Sequence, residues 1–330
     1  STIVKTRLER ATEAHGILHP AQEGFRKHHS TRRQIERLSH IIAQQKRAGN
    51  KMFLIYLDFA NAFNAVDLNA LFAIFEQLKV PDLDILRELY KEAWFKADTD
   101  AGQTARIPLR RGTKQGDPLS PLCFSLMLEI LLRMLDDTGE GVPTTTGSQE
   151  QGAFADDTIL MSPSAAGSNK QLAQVDSFCT YSGMEVNNSK CAISGIDFGT
   201  GRTIPTSLVR LRGKLIPHLP AEAPFLYLGK LMCLTGDDRP EIERVLQRTT
   251  ERTSRLHRTC YSKNQILMLL RTTVIPLFRY SAPVTRWTPD SLTTLETIWA
   301  RGYRAALRLG STFPLTQFLM PKNRGGWASE

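Results

Sequence analysis

Three carboxylates draw attention through what surrounds them. Asp58 sits in the continuous apolar run of residues 52–59, while Asp156 and Asp157 sit between the short apolar runs 153–154 and 158–161. Carboxylates brought together repel one another, so gathering them makes sense where divalent cations neutralise them. Donors that are all oxygen select Mg²⁺ or Mn²⁺ over zinc. Two such ions roughly 3.5–4 Å apart can activate an attacking hydroxyl and stabilise a leaving pyrophosphate in an in-line displacement. The chemistry that fits is nucleotidyl transfer. An Asp-Asp pair alone would say little, since solvated turns are rich in Asp.

The elements that must position these acids are legible in the pattern. Residues 52–59 leave no room for helical periodicity and predict a strand buried on both faces, with Asp58 at its exit. Residues 153–161 predict a hairpin carrying Asp156 and Asp157 at its tip, although the polar run 144–151 makes a poor first arm. Ser30 or Thr31 as N-cap, apolar residues at Ile35, Leu38, Ile41 and Ile42, and Gly49 just beyond predict a helix over residues 31–48. Asp67 caps a further helix that Pro81 stops, and another follows from Asp82. A loop with Gly112, Gly116, Pro118 and Pro121 leads into an apolar helix over residues 123–135; such a backbone can pass close to a ligand. A helix around Leu172, Val175 and Phe178 ends near Gly183, and a short strand is expected over 184–193. Beyond Asp237 the pattern is helical. The layout is mixed α+β, with a boundary near 235.

Composition narrows the classes further. With 41% apolar and 23% charged residues among 330, the chain is a folded one of two or three lobes, not a disordered or collagen-like one. The five cysteines form no C-x-x-C pair and the histidines, including His28 and His29, lack spacing that aims two imidazoles at one metal, so neither a disulfide framework nor a zinc site is expected. The apolar run 119–135 is broken by Glu129 and Arg133 and falls short of the roughly 20 clean residues of a membrane span. Residues 1–10 have no apolar core and read as a cut or processed boundary rather than a signal peptide. An intracellular location is expected, nucleus or cytoplasm undecided. The net charge of +9 points to a polyanionic partner, and most of it falls in residues 236–330, which hold 15 Lys and Arg against 8 Asp and Glu. There Arg244, Arg248, Arg252 and Arg255 recur at helical spacing and form one stripe.

In chain order, Gln22-Glu23-Gly24-Phe25-Arg26, Leu57-Asp58-Phe59-Ala60-Asn61-Ala62-Phe63, Gln115-Gly116-Asp117-Pro118-Leu119-Ser120-Pro121, Phe154-Ala155-Asp156-Asp157, Gly183 through Lys190, and Tyr227-Leu228-Gly229-Lys230 resemble the reverse transcriptases. The Phe-Ala-Asp-Asp form, the Gly-Phe-Arg segment and the long Gln-Gly-Asp loop are most similar to the non-LTR retrotransposon branch. The resemblance covers about residues 17–230, and more loosely the basic C-terminal part. It implies an α+β right-hand polymerase fold, with fingers and an antiparallel-sheet palm in residues 1–235 and a helical, basic thumb in 236–330. It also implies an RNA-directed DNA polymerase that extends a DNA primer on an RNA template from deoxynucleoside triphosphates, with two Mg²⁺ ions, Mn²⁺ being a substitute, and no membrane partner.

Carried over by position, Asp58 and Asp156 resemble the metal ligands, Asp157 completes the cluster and the carbonyl of Phe59 is an extra ligand. Phe63 resembles the aromatic gate, a ring beneath C2′ that collides with a ribose hydroxyl and spares deoxyribose. Gln115 and Gly116 match the residues lying against the incoming nucleotide and templating base, with glycine expected because no side chain would fit. Arg26 matches a residue gripping the triphosphate through its guanidinium fork. Lys190 matches a lysine that protonates the departing pyrophosphate or neutralises its charge. Tyr227, Leu228, Gly229 and Lys230 resemble the primer grip, and the arginine stripe would meet the RNA/DNA duplex through sugars and phosphates.

Two departures stand out. Asn64 replaces an acid common in relatives, and Asn61 stands where a basic residue is frequent. No endonuclease, RNase H, integrase or zinc-knuckle pattern lies in these residues, so a polymerase core cut from a longer retroelement protein, or a minimal polymerase, is expected. A maturase or telomerase-like polymerase shares this palm but more often carries Tyr at the position of Phe154 or large extra domains. A catalytically silent RNA-binding scaffold would be expected to drift at the acids, and all three are intact.

Overall fold

In the computed structural model the apolar run becomes strand β1 (Lys51–Leu57), buried at every position after the first. Phe53, Ile55 and Leu57 join the main core, and Met52, Leu54 and Tyr56 on the opposite face are buried too. A strand covered on both faces needs no polar alternation. The structure describes residues 1–91, 93–100, 102–114, 116–256 and 261–310. They divide into two units, Ser1–Ala223 with Cys233–Gly236, and Pro224–Met232 with the chain from Asp237 on. The division is therefore not a single cut at 235, because the segment around Tyr227–Lys230 groups with the helices that follow.

In the first unit β1 is followed by β2 (Phe59–Ala60), β3 (Gln151–Phe154), β4 (Asp157–Ser162), β5 (Glu185–Val186), β6 (Ala192–Asp197) and β7 (Arg202–Thr203). Five of these form an antiparallel sheet in the order β7-β6-β1-β4-β3, and β2 pairs with β5 in a separate ribbon. Leu57 lies opposite Thr158, and Asp157 opposite Phe154. Asp58, one step past β1, thus arrives beside the start of β4.

The helices of this unit are α1 (Thr2–Ala14), α2 (Thr31–Ala48), α3 (Ala62–Ala65), α4 (Leu68–Gln77), α5 (Leu83–Lys91), α6 (Ser120–Asp136) and α7 (Ala165–Ser182). Local chemistry sets their ends. Ser30 accepts from the Arg33 amide and Gly49 closes α2 at φ +68°, while Asp67 accepts from the amides of Asn69 and Ala70 at the start of α4. Helix α6, apolar over most of its circumference, is buried there, and packs Phe124, Leu128 and Leu131 into the core shared with Val175 and Phe178 of α7. Each such side chain removed from water contributes about 1.5–3 kcal/mol.

Two expectations change in detail. The polar run before β3 forms its own small hairpin, Val142–Thr144 with Gly147–Gln149, and the arm next to the acids is supplied by Gln151–Phe154. The strand expected over 184–193 is split into β5 and β6, because the Asn187 amide turns back to the Asp58 carbonyl (2.8 Å) and the Lys190 amide to the Asn187 carbonyl (3.0 Å).

The second unit contains β8 (Phe225–Tyr227), β9 (Lys230–Met232), α8 (Arg239–Leu256), α9 (Lys263–Leu269), α10 (Ile275–Ser281) and α11 (Pro289–Leu307). Strands β8 and β9 are joined by Leu228 and Gly229, both at positive φ, the geometry that suits a two-residue hairpin turn. Helices α8 and α11 approach closely at Gly302, where a Cβ would stand 2.5 Å from the Thr253 Cβ. Residues 270–274 widen into a π-helical turn just before Pro276, a local adjustment to a residue without an amide donor. Among the described residues no helix is long and apolar enough to cross a membrane.

Candidate active site

The hairpin between β3 and β4 has a tip of two residues, Ala155 and Asp156. Ala155 is buried and left-handed, at φ +56°, so the chain reverses at once and leaves Asp156 and Asp157 consecutive at the start of β4. Asp156 is half-buried and Asp157 exposed. Partial burial raises the Asp156 carboxyl above the ordinary range, and the Asp58 carboxylate adds to this. Asp157 is raised by the same two causes and by Asp156. Asp58 thus adds to the upward shift of both carboxyls of the turn.

Asp58 is held from behind. Its amide donates to the Cys191 Sγ at 3.4 Å and its carbonyl accepts from Asn187. Burial pushes the Cys191 thiol up to about 11, so it stays protonated and inert at neutral pH. Lys190 brings its Nζ to 3.9 Å from Asp58 Oδ2 and is 68% exposed. Among the described residues no three His, Cys, Asp or Glu side chains are gathered as a ready metal cage. The donors nonetheless suit a hard divalent cation. They are carboxylate oxygens, and the raised acids show mutual repulsion that such an ion would relieve.

Phe63 lies one turn past β2 on α3. Its ring stacks on Phe124 of α6 at 4.4 Å between centroids and meets the edge of Phe25 at 6.2 Å. Its carbonyl accepts from the Thr113 amide at 2.8 Å. A Cβ on Gly112 would come within 2.8 Å of Asn64 Cα, and Gly112 also has φ +82°, so glycine there is what lets the loop before α6 press against the Phe63 turn. Phe59 is buried, pairs with Val186 and sets its ring edge against Phe178.

Several side chains are spent on structure. Arg26, only 12% exposed, donates from Nε and Nη2 to both oxygens of Glu13 (2.8 and 2.7 Å) and from Nη1 to the carbonyls of His19 and Gln22. Its fork is filled from within the fold, and the Arg26 hydrogen bond holds the Glu13 carboxyl below its ordinary range. Gly116 has φ +80°, with nothing within 4 Å of the point where a Cβ would stand. That positive φ by itself favours glycine. Gln115 lies outside the described residues.

In the second unit Lys230 is 2% exposed, its Nζ 2.9 Å from Asp238 Oδ1 and bonded to the Val284 carbonyl. It staples the β8–β9 hairpin to the helices and cannot reach solvent as placed. Tyr227 is buried, which leaves Leu228 and Gly229 as the more open of the four residues 227–230. Arg244 is half-buried, paired with Glu241 and donating to the Gly229 carbonyl. The exposed part of the stripe on α8 is therefore Arg248, Arg252 and Arg255, with Arg252 also donating to the Thr273 carbonyl.

Sequence reasoning passed over Gln22, whose buried side chain reaches Ala155, and over Asn187 and Cys191 behind Asp58. Gln22 was readable only as a neighbour of Gly24; nothing in its spacing announces a partner 133 positions away.

Residues 1–230 match the family described as reverse transcriptase (RNA-dependent DNA polymerase). The chain is 27% identical over 294 residues to a retrovirus-related Pol polyprotein from type-1 retrotransposable element R2 of Popillia japonica, covering 88% of this chain and 48% of that protein. A second R2 Pol polyprotein of the same species is 30% identical over 247 residues, covering 73% and 34%. The type-2 element R2DM of Drosophila melanogaster is 27% identical over 234 residues, covering 68% and 21%. The chain thus spans about half, or less, of these relatives. Among solved structures, telomerase from Candida tropicalis with a TWJ fragment of telomeric RNA covers 94% of this chain and 51% of its own, at TM-score 0.51 and 12% identity. The apo form of that telomerase covers 94% and 55%, at the same TM-score and 11% identity. That likeness is one of fold, the right-hand polymerase fold. With a match that runs through every segment around the acidic turn, the chain belongs to the reverse transcriptase family.

Proposed function

We propose that this chain is an RNA-directed DNA polymerase, extending a DNA 3′-hydroxyl on an RNA template from deoxynucleoside triphosphates. The observation that carries this reading is the register that sets Asp58 beside the Asp156-Asp157 turn, with their carboxyls electrostatically coupled. Asp58, Asp156 and Asp157, with the Phe59 carbonyl, would hold two Mg²⁺ ions, for which Mn²⁺ could substitute. Bound there, the ions supply activation of the attacking hydroxyl and charge stabilisation for the leaving pyrophosphate.

The remaining work falls to this chain's side chains. Lys190, exposed and beside Asp58, would give a proton to the departing pyrophosphate or offset its charge. Phe63, fixed by Phe124 and Phe25, presents a ring that excludes a 2′-hydroxyl. Gly116 and Gln115 would lie against the nucleotide, and Arg26 would serve the triphosphate only on leaving Glu13. The β8–β9 hairpin would press on the primer through its tip, while Arg248, Arg252 and Arg255 contact duplex phosphates. Lys230 and Arg244 support these surfaces from beneath. Residues 1–235, apart from the 224–232 hairpin that groups with the later helices, would form fingers and palm and the following helices the thumb. The longer Pol polyprotein of a non-LTR retroelement is the context in which such a core would act.

The test is incubation of the purified chain with Mg²⁺, four deoxynucleotides and a primer annealed to RNA, and in parallel to DNA of the same sequence. Extension on RNA that disappears in Asp156→Asn/Asp157→Asn is expected. Tight, salt-sensitive duplex binding without extension would instead favour a silent scaffold.

A further inference from the structure

Gln22 is 0% exposed, and both polar atoms of its side chain reach the turn that carries the acids. Its Oε1 accepts from the Ala155 amide (2.8 Å) and from the Gly24 amide (2.8 Å), and its Nε2 donates to the Ala155 carbonyl (3.2 Å). Two backbone N–H groups aimed at one atom identify that atom as the amide oxygen. One glutamine thus pairs both polar groups of the single residue that must be left-handed for the hairpin to reverse.

The backbone around it reinforces the grip. Residue 22 bridges Ala153 in parallel, the Glu23 amide donates to the Ala153 carbonyl and the Ala153 amide to the Ala21 carbonyl, both at 2.9 Å. Gly24 passes so close that a Cβ would stand 2.2 Å from the Ala155 nitrogen. Its neighbour Phe25 meets Phe63, and Arg26 ties the segment to α1 through Glu13. The loop over residues 21–26 therefore touches the acidic turn and the aromatic gate together.

We infer that Gln22 is a positioning residue of the catalytic turn, fixing Ala155 in its left-handed state so that Asp156 and Asp157 stand at the pitch the reaction needs. Alanine has no intrinsic preference for that state, and buried amide and carbonyl groups left without partners would drive the turn to rearrange. Misplacing reacting groups by about 1 Å can cost on the order of 100-fold in rate. The inference rests on the polymerase reading above.

The test compares the wild-type chain with Gln22→Met, which keeps the bulk and loses all three bonds, and with Gln22→Glu, which keeps the acceptor and loses the donor. For Gln22→Met, kcat for single-nucleotide addition is expected to fall about 10- to 100-fold with the KM for primer–template unchanged within about twofold. The Mg²⁺ concentration giving half-maximal rate is expected to rise. Gln22→Glu should retain more activity than Gln22→Met. Independently of activity, hydrogen exchange at the Ala155 amide in the metal-free chain should quicken in Gln22→Met while amides of β1 stay protected. Should Gln22→Met fail to fold, Gly24→Ala strikes the same contact from the other side and is read by the same split. Unchanged kcat and unchanged Ala155 exchange would overturn the inference, as would a loss of rate that only tracks a loss of duplex binding. A wild-type chain that extends nothing would instead count against the polymerase reading itself.

Discussion

The carboxylates at the hairpin tip are held at an electrostatic cost. Asp156 and Asp157 have pKa values raised by partial burial and by neighbouring carboxylates. A carboxyl raised above its unfolded value lends stability that is full below the unfolded pKa and lost as pH rises through the folded one. Asp157→Asn is therefore expected to raise Tm at about pH 7, by about 1–3 °C for a chain of this size, with the gain shrinking as pH falls towards about 4. Thermal melts without divalent ions check this; a lower Tm at neutral pH would mean that the acids are paired rather than repelling. Phe63→Ala is expected to admit ribonucleotides with a modest loss of deoxynucleotide incorporation. Unchanged sugar discrimination, measured as the ratio of kcat/KM for the two sugars, would place the gate elsewhere.

At the scale of elements, the hairpin of the second unit depends on a buried charge. Lys230 meets Asp238 and the Val284 carbonyl. Burial tends to raise the Asp238 carboxyl, but Lys230 and Arg286 outweigh it and the net shift is downward. Lys230→Met leaves Asp238 short of one partner, and breaking such a pair costs about 3 kcal/mol. Urea unfolding should show the loss, whereas a neutral substitution would mean that Arg286 compensates. Local signals foretold elements well. The Asp67 cap and the Gly49 and Gly183 ends lie where the sequence signals put them, and Ser30 rather than Thr31 takes the α2 cap, because capping is chemistry within a few residues. Roles that depend on remote partners were not legible. Lys230, matched to the primer grip, is a buried staple to Asp238 and the Val284 carbonyl, and Arg26, matched to a triphosphate-gripping residue, is filled by Glu13. The long-range match of Gln22 to Ala155 left no periodic trace. The acidic trio was legible only because ordered segments flank it.

Over the whole molecule, the +9 charge would make binding of a nucleic acid, on the polymerase reading, salt-dependent. Replacing Arg248, Arg252 and Arg255 by Gln should lower the slope of log affinity against log salt by about 0.9 for each phosphate no longer neutralised, while extension at saturating duplex persists. An unchanged slope would confine the stripe to solvent. The central claim, that Asp58 and the hairpin acids carry out nucleotidyl transfer, is tested most directly by single-turnover addition of one deoxynucleotide to a primer on RNA. Wild type and Asp58→Asn would be compared in parallel with duplex affinity. The expected result is a rate lower by on the order of 1,000-fold, a few kcal/mol of transition-state stabilisation, with duplex binding equal or tighter. A rate in Asp58→Asn within about tenfold of wild type, at equal duplex affinity, would contradict it.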